Sequence, residues 1–536
     1  MRLEDWFLTE GERGNPHTRI DARHPGGHAW SSGNRADPLV HGATYYGDLH
    51  ARIQAMGPGD LVFFVDWRGD PDERLTGEPG SEVSAVLEDA ARRGVDVRGL
   101  VWRSHWDRLG YSSTEADHLG EEIEEAGGEC LRDMRVLSGG SHHQKFVVLR
   151  HGDDPTRDVA YVGGIDLCHS RRDDERHLGD PQPVSMSSAF GDTPAWHDVQ
   201  VALRGPVVHD VETAFRERWE DSNPLTRHPV QRLQSFLSRE DQTPDPLPRQ
   251  APPPPPVPSG DGGTHHVQIL RTYPRLRHGY DFAPQGEYSV ARGYAKALTR
   301  ARRIIYVEDQ YLWSAPIAQT FVDALRREPD LRIVCVLPRL PTQTGPIATP
   351  PSLVGRREAM AAMRAAGGDR VAFYGLENEA GLPIYVHAKV CVVDDRWASI
   401  GSDNFNRRSW THDTELTAVV WDDEPVPGPA SDGHPPARYA RDLRLRLSRE
   451  HLGVPEGEDR PDLEDPHVMA GAMAACALDL DEWHDGGRLG PRPPGRLRTL
   501  SVPTVAAWQR PWATLLYRHV FDPDGRPRGR RGSTEF

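Results

Sequence analysis

The sequence is poor in cysteine, has no long apolar run and carries no surplus of positive charge. Its five cysteines (Cys130, Cys168, Cys335, Cys391, Cys476) are widely spread, odd in number and never spaced Cys-x-x-Cys. Neither a zinc knuckle nor a disulfide framework is indicated, and buried reduced thiols in a cytosolic protein are expected. No stretch approaches the roughly 18 apolar residues of a membrane span. The first ten residues place acids where a signal peptide needs an uninterrupted apolar core. A cytoplasmic location is therefore expected, with any membrane met peripherally, from the water side. The formal net charge of −16 argues against a generic nucleic-acid binder, whose surface would be basic.

What is present is ordinary globular composition, 27% charged and 37% hydrophobic over 536 residues. That length suits two or three domains, or two fused halves sharing a core. The clearest shift in composition is a proline- and glycine-rich stretch at 241–265 containing the run Pro252–Pro256, which reads as an extended linker. It divides the chain into a first half (1–240), a second half (266–450) and a partly basic extension (451–536). Residues 60–67 and 95–102 read as strands flanking a helix near 83–91. Residues 303–311, 318–326 and 331–337 repeat that order in the second half. The alternation points to an α/β fold. Its expected form is two pseudo-twofold-related mixed-sheet sandwich halves, flanked by helices.

Two segments read as copies of each other. Ser141-His142-His143-Gln144-Lys145 opens an apolar run that leads to Gly163-Gly164-Ile165-Asp166. Val386-His387-Ala388-Lys389 opens another that leads to Gly401-Ser402-Asp403-Asn404. Duplicated halves bring equivalent residues face to face, so His143 and His387 are expected to meet across one cleft. His-x-Lys on a strand projects both side chains to one face. Two imidazoles and two ammonium groups then surround one pocket, a set suited to phosphoryl chemistry. The lysines supply fixed positive charge where negative charge builds. One imidazole can attack phosphorus while the other protonates the leaving alkoxide. This division calls for no metal and no cofactor, and no metal-ligand spacing stands out.

These motifs resemble those of the phospholipase D superfamily, His-x-Lys-x(4)-Asp followed by Gly-Gly/Ser-x-Asn/Asp, across most of residues 40–450. Trp196-His197-Asp198-Val199, Phe215-Arg216-Glu217-Arg218-Trp219 and Gly401–Ser409 are similar to the eukaryotic-type members. The resemblance implies a two-step reaction in which His143 forms a covalent phosphohistidine. His387 would protonate the departing alcohol and then activate water or a second alcohol. Lys145, Lys389 and Asn404 would hold phosphoryl oxygens. Asp166 stands where the first half could have carried Asn, and Asp394 ends the second motif; both are candidates for phosphate binding or support. Asp198 and Glu415 occupy corresponding places on the following strands, and each is expected to orient a histidine.

One position departs from the motif, since five residues after Lys145 stands Arg150 rather than Asp. A strand end lies about 17 Å beyond the lysine at roughly 3.3 Å per residue, so that Asp supports the turn, and Asp153, Asp154 or Asp158 is a candidate substitute. The resemblance implies hydrolysis of glycerophospholipids at a membrane surface to phosphatidic acid and a free head-group alcohol, with transphosphatidylation. A single chain holding both half-sites implies a monomer. The alternatives within the superfamily are a cardiolipin or phosphatidylserine synthase-like phosphatidyltransferase, or a nuclease, which the acidic charge disfavours. A non-catalytic lipid-binding scaffold is the alternative outside enzymes. The basic run at 526–531 reads as a solvated tail, or as attraction to anionic headgroups.

Overall fold

The structure, a computed structural model, describes residues 2–103, 113–227, 243–341, 349–431, 433–455, 457–531 and 536. The junction expected at 240/241 lies outside the described residues. Among the described residues, eight strands precede the linker: β1 (Ser31–Val40), β2 (Leu61–Asp66), β3 (Asp96–Trp102), β4 (Glu129–Asp133), β5 (Phe146–Arg150), β6 (Val159–Gly163), β7 (Trp196–His197) and β8 (Val199–Arg204). Ten follow it: β9 (His265–Tyr273), β10 (Glu287–Tyr288), β11 (Ile304–Glu308), β12 (Arg332–Val336), β13 (Val371–Glu377), β14 (Pro383–Val386), β15 (Val390–Val393), β16 (Trp397–Gly401), β17 (Glu415–Asp422) and β18 (Leu497–Thr499).

Pairing gives a first sheet in the order β4-β3-β2-β5-β6-β8-β1, with β4-β3-β2 parallel and the rest antiparallel. The second sheet runs β13-β12-β11-β15-β16-β17-β9 with the same directions. The duplication read from the sequence is thus a duplication of topology. The last strands of the two series, β1 and β9, pair with each other antiparallel. The molecule is a mixed α/β fold whose halves join edge to edge.

Side chains alternate across each strand, and the cores follow that period. Phe63 and Val65 of β2 join Ile304 and Tyr306 of β11 in one cluster shared by both halves. Val62 and Phe64 face a second cluster with helices Gly42–Gln54 and Val83–Arg92. Ile305 and Val307 face a third, with helices Ser289–Leu298 and Ala315–Arg327. The shared cluster is what allows the halves to present one site.

The described part of the linker up to residue 264 joins no sheet or long helix, and His265 already opens β9, yet the linker is docked. Pro252 O accepts from Arg150, Pro248 O from Arg216, and Val257 N–H donates to Gly33 O at 2.8 Å. Beyond 450, β18 extends the second sheet beside β13, and helix Arg510–Leu516 runs into a turn at Tyr517–Phe521. The start of the basic tail is not a free solvated end. Arg526 is buried, pairs with Asp524 at 2.8 Å and lies 4.6 Å from the Phe536 ring. No helix among the described residues is long and apolar enough to cross a membrane.

Candidate active site

Each His-x-Lys segment is held by the other half. Strand β14 runs parallel to β7, with Val386 opposite His197, and the His387 N–H donates to His197 O at 2.8 Å. In mirror fashion His142 lies opposite Thr414, and the His143 N–H donates to Thr414 O at 2.9 Å. The motifs therefore sit in extended links just before β5 and β15, not inside strands as the pattern suggested. An extended link keeps the two-residue alternation: Gln144 turns inward, accepting from Tyr273 Oη at 3.1 Å, and Ala388 is buried in the shared core. Lys145 and Lys389 each donate to the carbonyl of their own histidine, His143 and His387. His142 is a support: its Nδ1 lies 2.9 Å from Thr414 Oγ1 and its Nε2 3.2 Å from Asp133.

The side chains cross over in the same way. His143 Nδ1 lies 3.0 Å from Glu415 Oε2 of the second half. His387 Nδ1 lies 2.6 Å from Asp198 Oδ2 of the first. Both acids are fully buried. Ser402 Oγ donates to Glu415 at 2.5 Å, whereas its counterpart Gly164 leaves room for Asp198, because a Cβ there would stand 2.3 Å from Asp198 Oδ1. With each Nδ1–H given to a carboxylate, both Nε2 atoms are left for chemistry.

His143, His387, Asp166 and Asn404 line one cleft of about 470 Å³. Asn404 is buried and lines the cleft, where its carboxamide NH2 can donate to a ligand oxygen. Asp166 lies 3.5 Å from Lys145 Nζ and accepts from Trp67 N at 3.1 Å. It is thus a partner of the lysine and a support of the loop after β2, more than a phosphate ligand in its own right.

Sequence reasoning missed three contributors. Arg171 lines the cleft, stacks 4.0 Å over Trp196 and lies 3.7 Å from Asp166, adding a third buried cation. Asp309 accepts from Phe405 N, Tyr311 N and Leu312 N, fixing the loop that carries Asn404. The extension supplies Val520 and Phe521 to the cleft wall, where Trp67, Trp102, Trp313 and Met186 also stand. The motif letters hold no trace of these, although Asp66 at the end of β2 and Asp309 just after β11 stand at equivalent places.

Asp394 lies away from the cleft. Its carboxylate accepts from Arg302 N, Arg303 N, Ile304 N and Ser431 Oγ, tying the turn after β15 to the start of β11. It acts in support, not in phosphate binding. Arg150 fills the matching place with the opposite charge, at 2.9 Å from both Asp158 and Glu212. Of the three substitutes considered, Asp158 pairs with Arg150 and accepts from His151 N, and Asp154 caps the short helix Pro155–Arg157 within the turn. Asp60, just before β2, accepts from Gly152 N at 2.9 Å and so makes the turn-to-strand tie from the other side.

Burial dominates the titration of the site. It holds His143 well below its ordinary value, helped by Lys145 and Lys389, and does the same to His387, beside Lys389 and Arg171. Burial pushes Glu415 up to about 8, raises Asp198, and lowers Lys389 to about 8. Two histidines with lone pairs near neutrality, among buried cations, form an apparatus for taking and returning protons around an anion.

Residues 75–273 match the family model described as Phospholipase D. Residues 294–427 match the one described as Cardiolipin synthase, PLD-like domain. Among curated relatives, Phospholipase D zeta 2 of Arabidopsis thaliana is 25% identical over 87% of this chain. Phospholipase D1 of Schizosaccharomyces pombe is 27% identical over 59% of it. The chain spans 58% of the first relative's length and 27% of the second's. A solved phosphatidylserine synthase from Haemophilus influenzae Rd KW20 is similar at a TM-score of 0.49 and 13% identity, covering 83% of this chain and 93% of that one. With such a family match on each half and phospholipases D among its relatives, the chain belongs to the phospholipase D superfamily.

Proposed function

We propose that the protein is a phospholipase D-type phosphodiesterase that hydrolyses glycerophospholipids to phosphatidic acid and the head-group alcohol. The observation that carries this reading is the reciprocal pairing of His143 with Glu415 and of His387 with Asp198 around one cleft. The catalytic unit is then the pair of halves, 1–240 and 266–450, in one chain, with part of 451–536 as cleft wall.

In the first step His143 Nε2 attacks phosphorus, while Nδ1–H remains on Glu415. The phosphorus–oxygen bond to the head group breaks, and the alkoxide takes the Nε2 proton of His387, which enters this step as the imidazolium left by the previous turnover, its charge balanced by Asp198 and the bound phosphodiester anion. Lys145, Lys389, Arg171 and Asn404 bear the charge that builds on the non-bridging oxygens. In the second step His387, neutral again, draws a proton from water. The resulting nucleophile breaks the phosphorus–nitrogen bond, returning His143 and releasing phosphatidic acid. The aromatic and apolar wall of Trp67, Trp313, Met186 and Phe521 suits the acylglycerol side of an amphiphile.

An alcohol in place of water gives transphosphatidylation by the same path, and a lipid alcohol as acceptor gives the phosphatidyltransferase reading. Incubation with mixed phospholipid vesicles and a short primary alcohol tests both. Phosphatidic acid and phosphatidyl-alcohol, both lost in His143→Ala and His387→Ala, are expected. Products that arise only when a lipid alcohol is supplied establish the transferase instead. Cleavage of single-stranded DNA with no lipid product refutes the lipid reading.

A further inference from the structure

Behind the catalytic pair, on the opposite face of β7, lies a second cluster of ionisable groups for which the phosphodiesterase reaction has no use. His41, His177, His197 and Glu450 each present one ligand-type atom, and the four atoms lie within 4.8 Å of one another. One nitrogen of each imidazole faces the Glu450 carboxylate: His41 Nε2 at 2.9 Å, His177 Nε2 at 3.1 Å and His197 Nδ1 at 3.6 Å. The three histidines are buried, and the Glu450 side chain is 14% exposed. Three imidazoles from three separate segments converging on one carboxylate exceed what a salt bridge needs.

The outward nitrogens supply a second, independent observation. His197 Nε2 lies 2.6 Å from Glu308 Oε2, and His177 Nδ1 lies 3.4 Å from Asp173 Oδ2. Glu308 is itself held by Tyr306 Oη at 2.6 Å and His451 Nε2 at 2.7 Å. A carboxylate behind a metal-bound imidazole fixes its tautomer and turns the other nitrogen to the ion. His41 and His177 also stand at φ 72° and 53°, a backbone region that non-glycine residues seldom adopt. Such outliers cluster where geometry serves a ligand.

We propose that His41, His177, His197 and Glu450 bind one first-row divalent transition-metal ion, zinc by chemistry, as a clamp between the halves. Three imidazoles and one carboxylate match zinc's preferred donors, and four protein ligands mark a structural site, not a catalytic one. Bonds of about 2.0–2.1 Å place tetrahedral ligands roughly 3.4 Å apart, so the cluster closes by small side-chain rotations. The ligands come from both halves, and they touch the catalytic frame through the backbone. His197 O accepts from His387 N, and His41 N–H donates to Asp198 O at 2.9 Å. An ion here holds the register that delivers Asp198 to His387.

The test uses the full chain, purified without chelator, and reads metal rather than activity. About one equivalent of zinc per chain by elemental analysis is expected. After stripping with dipicolinate, Co2+ titration should give the intense visible bands of a tetrahedral site at one equivalent, and the stripped protein should melt several degrees lower. His41→Ala and His177→Ala should each lose those bands. A folded wild-type protein that holds no zinc and gives no tetrahedral cobalt spectrum overturns the proposal, whatever the variants do. Unchanged cobalt bands in both variants overturn it as well, because the ion then sits elsewhere.

Discussion

Replacing Asp198 by Asn removes one charge and almost no volume, so it isolates what the carboxylate does for His387. Asp198 Oδ2 receives His387 Nδ1 at 2.6 Å and Trp196 Nε1 at 3.4 Å, while Oδ1 accepts Val199 N at 2.9 Å. An amide has one oxygen for these donors. Keeping the Val199 bond turns the NH2 towards His387, which must then accept at Nδ1 and carry its proton on Nε2. That tautomer cannot draw a proton from water. The equivalent change in a Ser-His-Asp triad lowers turnover about 10⁴-fold, and general-base catalysis is worth about 10²–10⁴. A loss of 10²–10⁴ in kcat, about 3–5 kcal/mol, is expected on phospholipid vesicles. A soluble diester with a nitrophenol leaving group sharpens the assay, since that leaving group needs no acid. Asp198→Asn should release one rapid equivalent of nitrophenol and stall as the phosphoenzyme, whereas Glu415→Gln, which disables His143, should give no burst. Turnover within threefold of wild type in Asp198→Asn, or the same burst in both variants, refutes the reciprocal assignment.

The pH profile is expected to follow Glu415, which pairs with His143, and Lys389, which stands beside His387. Glu415 is raised to about 8 and is a carboxylate only above that, so the acid limb rises through it; Lys389 is lowered to about 8 and is a cation only below that, so the alkaline limb falls through it. The kcat/KM profile should be a bell centred near pH 8, and Lys389→Arg should move its alkaline limb upward; a flat profile from about pH 6 to 10 contradicts both. Gly164→Ala puts a Cβ 2.3 Å from Asp198 Oδ1 and should cut kcat at least about tenfold while thermal unfolding shifts by only a few degrees. Asp394→Ala strands three backbone N–H groups at the start of β11 and should cost about 2–4 kcal/mol in urea unfolding, with kcat at low temperature within a few-fold of wild type.

The repeat, the succession of strands and helices along each half and the four His-x-Lys residues were legible because each depends on local pattern. Short apolar runs mark β2, β3, β11 and β12, and the glycine turns mark where β6 and β16 end. Asp198 and Glu415 were also legible as candidates, from their matching places, and each stands against a histidine. Which histidine each serves was not, because β7 and β14 exchange partners across the halves and no spacing within one half records that. Asp309 stayed hidden because its partner Phe405 belongs to another loop, and Arg171 because no local pattern records that the β6–β7 connection folds it back onto Asp166 and Trp196. The His41–Glu450 cluster gathers residues from four distant segments, so no ligand spacing announces it. Arg150 is the converse case. The letter departs from the motif, yet the turn survives through Asp158 and Asp60, because the motif's aspartate ties a turn and does no chemistry.

The central claim is that one chain forms a covalent intermediate on the first-half histidine while the second-half histidine resolves it. Mass spectrometry of peptides from enzyme mixed with phospholipid, quenched within milliseconds and kept alkaline because phosphohistidine is acid-labile, tests it most directly. A phosphatidyl adduct on His143, accumulating in Asp198→Asn and absent from Glu415→Gln, is the expected result. An adduct on His387, or full turnover with no adduct in any variant, would contradict the account.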